Sequence, residues 1–112
     1  DAQRYYLKNR EIKEELGDKS KTAISLIRLS SLYREQGDLS TAVRLLAVAH
    51  DIFAAIGSAN ATQVGRDLEA FRDIVGEKHF DNLLKTARSR PDEVVREVLS
   101  KRRFQSIEHQ VR

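Results

Sequence analysis

The sequence predicts an all-α protein built from antiparallel helical hairpins. Apolar residues recur at spacings of three and four along most of its 112 residues, which is the period of an amphipathic helix. Four of the five glycines separate such segments, and the single proline, Pro91, leaves long helices uninterrupted. The third observation is an internal repeat.

The repeat has an offset of 40 positions and relates the start of the chain to its middle. The matching pairs are Ala2 and Ala42, Tyr6 and Leu46, Ile12 and Ile52, Leu16 and Ile56, and Gly17 and Gly57. Each copy has the pattern of a helix that ends at its glycine.

Three helices are predicted in the first half of the chain. The first covers 2–16 and ends before Gly17, the second covers 22–36, and the third covers 39–56. Asp38 and Ser40 are predicted to cap the third helix, because their side-chain oxygens can accept hydrogen bonds from the free amides of the first turn. The short connection at 37–38 makes 22–57 a complete hairpin, whereas 1–17 is expected to be the second helix of a truncated repeat.

The second half is predicted to be helical without repeating the hairpin pattern. Helices are expected up to Val75, around Phe80 to Ala87, and around Val94 to Leu99. Arg66 and Glu69 stand where the first hairpin has leucines, so 62–100 is interpreted as an atypical C-terminal helical cap. With a tail at 101–112, the whole chain forms one domain of about six helices.

Composition argues against catalysis, metal binding and membrane insertion. The chain has no cysteine, and its three histidines have no metal-ligand neighbour at helical spacing. No nucleophile, phosphate-loop or cofactor motif occurs, so no catalytic, cofactor-binding or metal-binding residue is predicted. No apolar run approaches the roughly 20 residues that span a bilayer, and the expected location is the cytoplasm.

Positive charge is concentrated towards the C-terminus, although the net charge is only +3. The basic residues there are Lys85, Arg88, Arg90, Arg96, Lys101, Arg102 and Arg103. A solvated helix surface is the favoured interpretation, and contact with nucleic acid is the alternative.

The central hairpin resembles the tetratricopeptide repeat. The residues that carry the resemblance are Leu26, Leu29, Ser30, Tyr33, Gly37, Asp38, Ala42, Leu46 and Ala49. Two positions depart from the family pattern: Leu26 stands where tryptophan is commonest, and Ala54 lies near the usual proline. The resemblance implies a tetratricopeptide-like α-solenoid that binds other proteins.

A wider resemblance, over about 23–99, is to the closing repeats of bacterial signal-transduction NTPases, including LuxR-family transcription regulators. The resemblance rests on the order of four elements. These are the hairpin that ends at a glycine, the helix with Phe71, the helix with Phe80, and the helix that starts at Asp92 and Glu93. It implies a sensor arm of a larger regulatory protein with an ATPase module upstream. The chain also opens in a helical pattern without an initiator methionine, which favours a piece excised from such a protein.

Two surfaces are candidate sites for another protein or a neighbouring domain of the parent chain. By the resemblance, the groove of the repeat corresponds to Ile24, Ile27, Arg28, Ser31, Arg34 and Glu35. The helix over 2–16 lacks a preceding partner, so a self-association strip, and hence a homodimer, is predicted at Tyr5, Tyr6, Ile12 and Leu16.

Overall fold

The computed structural model describes the backbone of residues 2–100 and the side chains of residues 8–100. This part of the chain is all-helical and has no strand. Its five helices are α1 (Ala2–Glu35), α2 (Leu39–Ala55), α3 (Asn60–Val75), α4 (Glu77–Ser89) and α5 (91–100).

A tight turn joins α1 to α2. Gly37 has a φ of +85°, a left-handed conformation that costs a residue without Cβ little. Asp38 then caps α2, since its carboxylate accepts hydrogen bonds from the Thr41 amide at 3.1 Å and from the Thr41 hydroxyl at 2.7 Å. The turn therefore sends α2 back along the C-terminal half of α1.

Helix α2 is the centre of the fold. It packs against α1, α3 and α4, and nine of its 17 residues are buried. Its alanines let neighbouring helices approach closely, and Ala42, Ala47 and Ala49 are fully buried.

Cross-helix contacts fix the directions of α4 and α5 relative to α2. The Ser40 hydroxyl lies 3.3 Å from His79, and Arg88 lies 3.5 Å from the Asp51 carboxylate, so α4 runs parallel to α2. Arg44, near the start of α2, pairs with Glu97 at 3.7 Å, near the end of α5. Pro91, at the start of α5, lies beside Ile52 and Ile56 at the end of α2, so α5 is antiparallel to α2. The helices cluster around α2.

One predicted break is wrong. The sequence placed a helix end at Gly17 and a new start at Thr22, but α1 is continuous from Ala2 to Glu35. Gly17 lacks the positive φ of a helix-ending glycine, and the Glu15–Lys19 ion pair at 3.4 Å spans it. An interior glycine costs a helix only about 1 kcal/mol, so helix can continue where no tertiary contact favours a turn.

The predicted truncated repeat at 1–17 therefore has no separate helix, and the described part has five helices instead of about six. The other boundaries lie close to their predicted positions. Predicted helix 39–56 is observed as Leu39–Ala55, and α3 begins at Asn60. The predicted tail at 101–112 lies outside the described residues.

Within residues 2–100, no helix combines the length and apolar character needed to cross a lipid bilayer.

Candidate functional site

A seam of residues along α1 provides its contact with α2. The seam consists of Ala23, Leu26, Ser30 and Tyr33, which alternate at spacings of three and four and are all buried. The Ser30 hydroxyl donates a hydrogen bond to the Ala42 carbonyl oxygen of α2 at 3.0 Å. This bond satisfies the buried hydroxyl group of Ser30.

The seam continues beyond the end of α2. The same spacing leads back through Lys19 to Leu16 and Ile12, whose exposed fractions are 41% and 46%. Every side chain from Lys8 to Lys19 is exposed. We call residues 2–19 the N-terminal arm; at 1.5 Å per residue it is about 27 Å long.

Two of the four predicted strip residues can thus be placed. Ile12 and Leu16 share one face of the arm and lie in line with the buried seam. The side chains of Tyr5 and Tyr6 lie outside the described residues.

Ion pairs within α1 support the helical form of the arm. Arg10 pairs with Glu14 at 3.3 Å and Glu15 pairs with Lys19 at 3.4 Å, both at the i,i+4 spacing. Such exposed pairs contribute only about 0.2–0.5 kcal/mol each to helix stability. They therefore stabilise the arm less than packing against α2 stabilises the second half of α1.

An apolar pocket of about 290 Å³ lies where the arm leaves the helical body. We call it the end pocket. Its lining residues are Lys19, Val48, Asp51, Ile52, Ala55, Ile56 and Pro91. Lys19 is the next seam position after Leu16, so the pocket and the exposed strip adjoin.

Sequence reasoning did not identify the end pocket. The internal repeat does relate two residues of the pocket to the exposed strip, because it pairs Ile52 with Ile12 and Ile56 with Leu16. The pocket nevertheless depends on Pro91, which only the tertiary structure brings beside α2.

The predicted groove residues separate into two groups. Ile24, Arg28, Ser31 and Glu35 are exposed along the outer side of α1. Ile27 and Arg34 contribute to the fold instead: Ile27 packs against the core, and the Arg34 guanidinium lies 5.5 Å from the centroid of the Phe71 ring. The exposed group remains a predicted contact surface.

The basic C-terminal segment is partly neutralised by carboxylates. Arg88 pairs with Asp51 at 3.5 Å and Arg90 with Glu93 at 3.4 Å, whereas Lys85 and Arg96 are exposed. Lys101, Arg102 and Arg103 lie outside the described residues.

A cleft of about 460 Å³ between α2, α4 and α5 includes Lys85 and Arg90 but also Glu93 and Glu97. Its charge is mixed, and Arg44 within it is already paired with Glu97 at 3.7 Å. A cleft of this composition does not present the row of cations that tracks a nucleic-acid backbone.

The histidines that the structure describes make local polar contacts. His79 lies 3.3 Å from the Ser40 hydroxyl, and His50 lies 3.3 Å from the Asp51 carboxylate. Among the described residues, no three His, Cys, Asp or Glu side chains form a group that could hold a metal ion.

No protein-family model matches the chain, and no curated protein or solved structure is significantly similar to it. The resemblance to tetratricopeptide repeats therefore stays a prediction.

Proposed function

We propose that this chain is a protein-interaction module of tetratricopeptide-like helical type within a larger, cytoplasmic regulatory protein. The observation that carries the proposal is the exposed continuation of a packing seam. Ala23 and Leu26 are buried against α2, while Leu16 and Ile12 on the same face of the same helix are exposed.

Two physical arguments favour a partner on the arm. Exposed apolar residues in line with one another mark interaction surfaces more often than isolated ones do. In addition, helical segments of about 12–15 residues are marginal in water without tertiary contacts. A partner that covers Ile12 and Leu16 would remove their apolar surface from water and would stabilise the arm as a helix.

Two other surfaces are weaker candidates. The exposed groove residues Ile24, Arg28, Ser31 and Glu35 form a mixed polar face that suits a second, polar contact with a neighbouring domain. Nucleic-acid binding by the basic C-terminal segment remains a prediction. It requires affinity for duplex DNA that falls steeply with salt.

Site-specific photocrosslinking tests the proposed function. Benzoylphenylalanine replaces Ile12 in the natural protein in its own cells, and Ile74, which is 56% exposed on α3, is the matched control position. We expect peptide crosslinks from position 12 well above those from position 74. Equal, low yields from the two positions would contradict an interaction role for the arm.

A further inference from the structure

We infer that the arm pairs with the arm of a second copy of this chain, antiparallel and about a two-fold axis between Asn9 and Ile12. This inference rests on the proposed interaction function and names the partner. Three features of α1 carry it: the continuity of its seam, the position of the end of α2, and the charges beside the seam.

The seam of α1 has the spacing of a coiled coil. Asn9, Ile12, Leu16 and Lys19 follow one another at alternating steps of three and four, in phase with the buried seam residues further along α1. Helix α2 packs on the seam in the C-terminal half of α1. A second helix can therefore pack in the same way on the seam of the arm.

The end of α2 limits where the second helix can lie. Ala23 is fully buried by α2, so a second helix can cover α1 only up to about Lys19. An antiparallel partner centred between Asn9 and Ile12 places position 2 of one copy opposite position 19 of the other. Residues 2–19 of the two copies then overlap, and position 2 of each partner helix lies beside the end pocket of the other copy.

A shift of the partner by one heptad would pair Ile12 with Leu16 but would place positions 2–5 of the partner helix on the seam that α2 already covers. The same shift would place Glu15 opposite Glu15 and Lys13 opposite Lys13 across the two-fold axis. Both the steric contact with α2 and the like charges exclude this register.

Charges beside the seam select the antiparallel orientation. In the antiparallel register, Lys8 of each copy lies opposite Glu15 of the other, which gives two attractive pairs. In a parallel pair, Lys8 lies opposite Lys13 of the second copy twice, which is repulsive. Lys8, Lys13 and Glu15 are all exposed on the arm. Glu15 pairs with Lys19 at 3.4 Å, but its side chain is 68% exposed and can be contacted by Lys8 of a second copy.

The expected dimer is weak. An overlap of about 27 Å between two helices lies at the low end of interface size, so association should depend on concentration. Sedimentation equilibrium over two decades of concentration, up to high micromolar, should show a reversible monomer–dimer equilibrium. A chain that stays monomeric over this range would overturn the inference.

Charge exchange at Lys8 and Glu15 tests the orientation. Lys8→Glu and Glu15→Lys each convert two attractive pairs into repulsive ones, and each variant should dimerise roughly 5- to 10-fold more weakly. An equimolar mixture of the two variants should recover wild-type affinity, because each arm then faces opposite charges. Tighter association of Lys8→Glu alone would indicate the parallel pair and overturn the inference.

Removal of the apolar side chains tests the proposed interface, and a change at an exposed residue elsewhere is the matched control. The double variant Ile12→Gln/Leu16→Gln should abolish dimerisation, while Ile74→Gln, a change at an exposed residue of α3, should leave it intact. Circular dichroism checks that both variants keep their fold. Dimerisation that survives the double variant would contradict the proposed interface.

Photocrosslinking in a mixture of isotopically light and heavy chains separates failure of this inference from failure of the proposed function. Mixed-label crosslinks from position 12 to the arm support the second copy. Crosslinks from position 12 to a different protein, with the chain itself monomeric, overturn the second copy but leave the interaction function standing.

Discussion

Asp38 illustrates how a single side chain begins a helix in this fold. Its carboxylate oxygens accept hydrogen bonds from the amide and the hydroxyl of Thr41. The preceding residue, Gly37, adopts a positive φ, so the two residues together reverse the chain between α1 and α2. The central hairpin therefore depends on local chemistry at two adjacent positions.

Removal of this cap should destabilise the protein. Asp38→Ala should lower the free energy of unfolding by about 0.5–2 kcal/mol, because the Thr41 amide in the first turn of α2 loses its acceptor. Urea denaturation measures the change. Asp38→Asn is the control, since its amide oxygen can still accept the Thr41 amide, and it should lose less than the alanine variant.

Arg72 is the most highly connected cation in the described part. It pairs with Glu69 at 2.9 Å, Asp81 at 3.2 Å and Glu77 at 3.6 Å, and its guanidinium lies 4.6 Å from the centroid of the Phe80 ring. The hydrogen bond from Arg72 lowers the pKa of Glu69, and the same bond is the main reason why the pKa of Arg72 is raised. These contacts join the end of α3 to the start of α4.

The effect of Arg72→Gln should depend on pH. A carboxylate whose pKa is lowered by folding adds stability above its unfolded-state pKa and loses that contribution as the pH falls through its folded-state pKa. Arg72→Gln should therefore lower the melting temperature near neutral pH, and the difference from wild type should shrink in acid. Arg66→Gln, an exposed change on the same helix, should show no such pH dependence.

At the scale of helices, α1 combines a packed half with an exposed half. The boundary lies near Lys19, where α2 ends beside it. Gly17 occurs close to this boundary but does not break the helix, and a Cβ added there would meet no atom within 4 Å. The helix thus continues through a residue that the sequence pattern marks as a stop.

Alanine substitutions distinguish the two kinds of glycine. Gly17→Ala should increase the helicity of the arm and stabilise it by roughly 0.5–1 kcal/mol, because alanine loses less conformational entropy in a helix. Gly37→Ala should instead destabilise the protein by about 1–2 kcal/mol, since its φ is +85°. Circular dichroism and hydrogen exchange of residues 8–19 would measure the first effect, and urea denaturation the second.

The opposite result at position 17 would contradict the continuous helix. If Gly17 were a helix end in a left-handed conformation, alanine would lower stability there, as is expected at position 37.

At the scale of the whole molecule, stability depends on α2. Leu45 and Phe53 of α2 are almost completely buried, as is Phe80 of α4. Because α2 packs against α1, α3 and α4, loss of α2 would remove the buried partner of each of them. The helical body should therefore unfold in one cooperative transition.

Leu45→Ala tests this cooperativity. The cavity should lower the free energy of unfolding by about 2–5 kcal/mol, a large fraction of the 5–15 kcal/mol typical of a domain. Amide exchange should accelerate equally in α1 beyond Lys19, α3 and α4. Leu99→Ala, at a side chain that is 55% exposed, is the control and should change little. Acceleration confined to α2 would contradict a single cooperative body.

The sequence by itself determined the all-α class, the turn at Gly37 and Asp38, and most helix positions. These features follow from local chemistry: helical periodicity, capping oxygens and residues without Cβ act within a few positions of the chain. Ile12 and Leu16 were likewise predicted as exposed apolar residues and are exposed, although the separate helix over 2–16 from which this was argued does not occur.

Only the tertiary structure decided that Gly17 lies inside a helix, that α2 lies at the centre, and that Ile52, Ile56 and Pro91 meet in the end pocket. Gly17 and Gly57 occupy equivalent positions in the repeat, yet only Gly57 has a positive φ. The difference of about 1 kcal/mol between glycine and alanine in a helix is too small to decide the outcome locally. Packing against neighbouring helices decides it, and those neighbours are distant in sequence.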